Sequence, residues 1–162
     1  MRTNNEKVKN IIVGVYFVMI VLAMTSLFVF NAVTGLEINP FILMLGILGV
    51  FGVLFFLVHR VAKYFEYDSD GAKLIIINKG LLLSEKFNYR QHKLEANKSE
   101  LVGFKFNNYF IYKELVILIK WDGHETIKKY RFNITLVARK KRKYMKQSLS
   151  KMVKQNRKAQ NQ

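Results

Sequence analysis

Two apolar runs near the N-terminus, residues 11–30 and 41–58, constrain everything else in this chain. They are twenty and eighteen residues long, hold no charged side chain, and are separated by a connector whose one charge is Glu37. At about 1.5 Å per residue, either run is long enough for an α-helix to cross a hydrocarbon layer of roughly 30 Å. The sequence therefore predicts a membrane α-helical hairpin, and the rest of the chain must be assigned to one side of a lipid bilayer.

A cleaved leader would share the basic start, but twenty apolar residues exceed the roughly 7–15 of such a segment. No convincing small-x-small cleavage site precedes the second run, so a retained anchor is expected. Arg2, Lys7 and Lys9 precede the first run and Arg60 and Lys63 follow the second, whereas the connector has no cation. The positive-inside bias then places both termini in the cytoplasm of a multi-pass plasma-membrane protein. Asn39-Pro40 suits the start of the second helix, with Asn accepting an orphan amide and Pro fitting the first turn.

Gly46, Gly49 and Gly52 recur every third residue along the second run. Small residues let helices approach closely in lipid. The strip can pack on the first helix, which has Gly14, Ala23 and Ser26, or can receive another membrane protein. Neither run carries Asp, Glu, Lys, Arg or His, which argues against an ion or proton path. The hairpin reads as an anchor.

Residues 59–162 carry 24 basic side chains against 9 acids, a net +15, and such a surplus points to an acidic partner. The adjacent hairpin favours anionic lipid headgroups over nucleic acid. Cysteine is absent, which excludes disulfides, thiolate metal sites and a cysteine nucleophile.

After Lys63 the pattern turns to short alternating segments bounded by turn residues, the signature of strands. Seven are expected, at 62–68, 73–78, 81–88, 91–95, 100–106, 109–120 and 124–137, joined by short connections and hence antiparallel. Gly71 and Gly80 are expected to supply positive φ in the first turns, and Asn107-Asn108 and Asp122-Gly123 to mark later reversals. A helix over 138–155 follows. Val137, Met145, Leu149, Met152 and Val153 form its apolar stripe, which needs the sheet as a partner.

The expected organisation is thus a membrane unit at 1–60, an antiparallel β-domain at 61–137 and a basic helix and tail at 138–162, of α+β class. With the hairpin, the strand KYFEYDSDG, the turn NKG, the segment KSELVGFKF and the terminal KRKYMKQSLSKMV, the chain resembles bacterial membrane proteins in which two transmembrane helices precede a PH-like domain. The resemblance implies a PH-like β-domain of about seven strands capped by the C-terminal helix. It further implies a role in scaffolding or protein interaction, and no catalytic residues. One departure is the first hairpin, Asp68-Ser69-Asp70-Gly71, whose charge would repel the phosphate that lipid-binding PH domains hold there.

His59, His92 and His124 lie in separate segments without metal-ligand spacing. Asp68 and Asp70 suit a turn, and no phosphate loop or nucleophile elbow occurs. Neither a cofactor nor an enzyme activity is expected. Asn97-Lys98-Ser99 and Asn133-Ile134-Thr135 match the glycosylation pattern, here read as accidental on a cytoplasmic side.

The tail is the remaining candidate. Residues 138–162 hold ten cations and no acid. Arg139, Lys140, Lys141, Arg142, Lys143 and Lys146 are the expected membrane-surface residues, each cation near anionic lipid being worth about 1 kcal/mol. The alternative is a solvated helix face that keeps the domain soluble. Nucleic acid is disfavoured because Tyr144 is the one aromatic residue among the cations.

Overall fold

The computed structural model describes residues 1–33, 39–80, 92–123 and 126–160. The chain divides into two compact units, Lys7–Arg60 and a second made of Met1–Glu6 together with Val61–Gln162.

The first unit is two helices, α1 (Val8–Val33) and α2 (Pro40–Val61). Their apolar segments Val8–Phe30 and Phe41–Val61 are 23 and 21 residues long, about 34 and 31 Å at the α-helical rise. Both are long and apolar enough to cross a membrane. Phe17, Met24, Phe28, Ile42 and Phe56 stand exposed on them, which water would penalise and lipid would not. The two aliphatic hydroxyls of α1 are satisfied within the helix: Thr25 donates to the Val21 carbonyl at 3.0 Å and Ser26 to that of Leu22 at 2.7 Å. As expected, Asn39 caps α2, its Oδ1 accepting the Phe41 N–H at 2.9 Å. Tyr16 and Phe55 rings meet at 4.7 Å.

The second unit is two antiparallel sheets and a helix. The first sheet has the order β1 (Arg2–Asn4), β2 (Lys63–Asp68), β3 (Lys73–Gly80), β4 (His92–Asn97). A single 3-10 turn, Lys98–Glu100, leads to the second sheet, β5 (Leu101–Asn108), β6 (Lys113–Lys120) and β7 (Ile127–Asn133). The Glu100 carboxylate accepts the Asn97 N–H at 2.6 Å and so fixes the corner between them.

Alternation along the strands turns Phe65 and Tyr67, Leu74 and Ile76, Leu94 and Ala96, and Leu115, Ile117 and Ile119 into one core. The last helix, α3 (Arg139–Gln160), completes it. The expected stripe of Val137, Met145, Leu149, Met152 and Val153 is buried in that core. Polar bonds hold the helix along its length. Lys141 Nζ donates to the Asn4 carbonyl at 2.5 Å, Tyr67 to Ser148 at 3.0 Å, and Asn156 to the Lys98 and Leu101 carbonyls at 2.7 and 2.8 Å.

Several expectations differ from what is found. Seven strands are described, but one of them is β1. Arg2 faces Asp68 and Asn4 faces Glu66 in its register, so Met1–Glu6 belongs to the β-unit rather than to a tail of the helical one. Asn5, only 3% exposed, locks the junction: Oδ1 accepts the Phe65 N–H at 2.8 Å and Nδ2 donates to the Lys63 carbonyl at 3.0 Å. The strand expected at 81–88 and His124 lie outside the described residues.

Gly71 does not adopt positive φ, because Asp68 Oδ1 accepts the Asp70 N–H at 2.9 Å and turns the chain itself. Gly80 is the last residue of β3, opposite Lys63. Gly123, at φ 81°, does provide the left-handed residue of the Asp122-Gly123 reversal. The strand expected over 109–120 begins only at Lys113. Residues 109–112 are the turn, closed by the Tyr109 N–H on the Tyr112 carbonyl at 2.8 Å, beyond the last rung Asn108–Lys113 of the β5–β6 ladder. At the other margin, Asn133 Oδ1 accepts the Thr135 N–H at 2.9 Å and ends β7 short of Val137.

Candidate functional site

The two ends of the β-unit differ. At one end are Asn5, Val61 and Lys63, where the chain leaves for α1 and returns from α2. Asn133 belongs to this end, since its Nδ2 donates to the Val61 carbonyl at 3.4 Å. So does Lys113, whose carbonyl accepts the Ile134 N–H at 2.9 Å and whose N–H donates to Thr135 Oγ1 at 2.9 Å. The β5–β6 turn and the start of α3 are carried here with them. The opposite end holds the β2–β3 turn with its Asp68 and Asp70.

An open groove of about 960 Å³ lies between the end of the β5–β6 hairpin and α3. Phe106, Asn108 and Lys113 line it from the hairpin. Arg139, Lys140, Arg142, Lys143 and Lys146 line it from the helix, and among the described residues no acid takes part. The first turn of α3 contains no acid either. The helix therefore puts cations where its own dipole is already positive, an arrangement that costs stability and attracts anions. Arg142 is half-buried, and its Nε is shielded from solvent without a hydrogen-bond partner among the described residues.

Of the six expected tail residues, five meet in this groove. Lys141 does not, because its ammonium is spent on the Asn4 carbonyl and holds β1 in place. A basic face continues along α3 through Lys151, Lys154 and Lys158. Gly46, Gly49 and Gly52 are exposed on α2, and a Cβ added at any of them would meet nothing within 4 Å. Lys113, Phe106 and Asn108 were not legible as site residues, since each reads as part of an ordinary strand.

The chain matches no protein-family model, no curated protein and no solved structure. What the groove can do rests on its own chemistry, which is to attract a diffuse or multiply charged anion. His92 stands against Phe132 with ring centroids at 5.1 Å. Among the described residues, no three of His, Asp and Glu come close enough to share a metal ion. Asn133 of the sequon is only 6% exposed and committed to the fold.

Proposed function

We propose that the protein is a non-enzymatic, membrane-anchored interaction module of the bacterial plasma membrane, in which a PH-like β-domain is held at the cytoplasmic face by a two-helix hairpin. The observation that carries this reading is the pairing of β1 with β2. One strand precedes the hairpin and the other follows it, so both chain ends of the hairpin leave from one folded domain. Four strands, then three, then a C-terminal helix is the order of a PH-like domain, with the hairpin inserted after the first strand. The cations Lys7, Lys9 and Arg60 flank the two helices, which favours the cytoplasm for that side. Cysteine introduced at Thr34 should label from outside intact cells, and cysteine at the exposed Gly71 should not. The reverse pattern would remove the assignment. A protein partner of the module should co-purify in fixed ratio from detergent-solubilised membranes.

A second reading is favoured by the acid-free groove and the exposure of Arg139, Lys140, Lys143 and Lys146. In it, α3 attracts anionic lipid, at about 1 kcal/mol per cation near the surface.

A further inference from the structure

Outside the two apolar helices, the large apolar side chains standing exposed among the described residues are Tyr109, Phe110, Ile111, Ile127 and Tyr144. Three of the five are consecutive and form one turn. Phe110 is 103% exposed, so none of the described residues covers it. Turns normally take Gly, Asn, Asp or Ser, whose backbone and side-chain chemistry suit a solvated reversal. A tip made of Tyr, Phe and Ile gains nothing in water and would gain by entering an apolar phase.

The position of this tip decides which phase. It lies between Asn108 and Lys113, both of which line the cationic groove. Through Lys113 and Asn133 it sits at the end of the β-unit where Asn5 and Val61 connect to the helices. The acidic turn with Asp68 and Asp70 is at the opposite end. An apolar tip with an aromatic hydroxyl and a cationic groove at its base has the chemistry of one surface, that of an anionic bilayer.

We infer that the β5–β6 turn is a wedge that inserts Tyr109, Phe110 and Ile111 into the headgroup and acyl boundary of an anionic bilayer, while the groove behind it takes lipid phosphates. This deepens the second reading above and rests on it. The depth is that of interfacial anchors, about 5–10 Å. Tyr109 suits the boundary because its ring is apolar and its hydroxyl is not. The buried Nε of Arg142 is a donor without a partner among the described residues.

The test uses the full chain, which has no native cysteine, reconstituted into vesicles. Single replacements Phe110→Cys, Ala138→Cys and Gly71→Cys carry an environment-sensitive fluorophore. All three sites are exposed, so the fold should tolerate them. In equal parts phosphatidylcholine and phosphatidylglycerol, the label at position 110 should shift to the blue and be quenched by lipids bearing a shallow nitroxide. The label at position 71 should do neither. Combined Lys140→Gln, Lys143→Gln and Lys146→Gln should release the tip, as should raising salt from 0.1 to 1 M, which shortens screening from about 10 Å to about 3 Å. An unquenched position 110 beside a position 138 that responds to anionic lipid overturns the wedge and leaves the lipid reading standing. Silence at both positions overturns both. Equal quenching at position 110 in pure phosphatidylcholine overturns the part assigned to the cations.

Discussion

The side chain of Asn78 bonds Asn133 in both directions, Nδ2 donating to its carbonyl at 3.1 Å and Oδ1 accepting its N–H at 3.1 Å. One amide side chain thereby does for two separate sheets what a ladder rung does within one. It also donates to the Tyr64 carbonyl at 2.9 Å, so β2, β3 and β7 meet at a single residue.

Asn78→Ala should cost about 1–3 kcal/mol, because it removes both bonds that Asn78 makes to the backbone of the buried Asn133. Asn78→Asp should cost at least as much, since a carboxylate cannot donate to the two carbonyls. Thermal unfolding of the full chain in detergent, followed by the β-sheet signal, measures both. An unchanged midpoint for Asn78→Ala would mean that the sheets are held by their apolar faces alone.

Leu149 is fully buried at the centre of the α3 stripe. Leu149→Ala should destabilise by about 2–5 kcal/mol through the cavity it opens. Leu149→Asp should destabilise by about 3 kcal/mol or more, because the charge has no partner. The full chain is required, since a piece starting after α2 would lack β1. If both variants unfold at the wild-type midpoint, α3 does not close the core in solution.

Burial, aided by the hydrogen bond it donates to Glu66 at 2.9 Å, pushes the Tyr64 hydroxyl from 10.0 up to about 12. Below pH 10 the phenol is neutral in both folded and unfolded chains, and its contribution is fully present. Between pH 10 and about 12 the unfolded chain ionises first, so stability falls as pH rises. Tyr64→Phe should flatten the alkaline limb of the stability profile in that window, and a difference absorbance titration should place the missing phenol near its top.

Glu95 accepts from Lys73 and Lys93, each at 2.9 Å, and these bonds hold its carboxyl at about 2 instead of 4.5. Its contribution is therefore present above pH 4.5 and lost as pH falls towards about 2. Glu95→Gln should lower the midpoint slightly at neutral pH, by no more than befits exposed ion pairs, and should soften the acid limb until the two proteins converge at low pH. A variant with an identical acid limb would show that the bridge does not persist in solution.

The sequence made some of this visible and hid the rest for physical reasons. Continuous apolarity marked α1 and α2, and a helical period carried through Met145, Leu149, Met152 and Val153 marked α3. The strand β1 could not be seen. Arg2, Thr3 and Asn4 have no apolar alternation, and the strand is held by backbone pairing and by Arg2 donating to Glu66 at 2.8 Å, which no local window contains. Residues 109–112 misled for the opposite reason. Their apolarity imitates a strand entering the core, and only the sheet register shows that the chain has already turned. The groove was half legible: ten cations marked the segment as basic, but Lys141 bonding to the Asn4 carbonyl and Lys113 joining from β6 are facts of tertiary packing.

Asn5 bonded to Phe65 and Lys63 has a consequence for biosynthesis. β1 emerges before either helix, whereas its sheet partner follows both, with Arg2 and Glu66 separated by 64 positions. In a chain anchored as proposed, β1 can dock only when the hairpin has threaded completely and returned. A chain in which one helix fails to cross leaves β1 on the far side of the bilayer and the edge of β2 unpaired, open to aggregation and proteolysis. In a chain so anchored, completion of the sheet would require both helices to have crossed, a condition set by three residues that look like a loose leader.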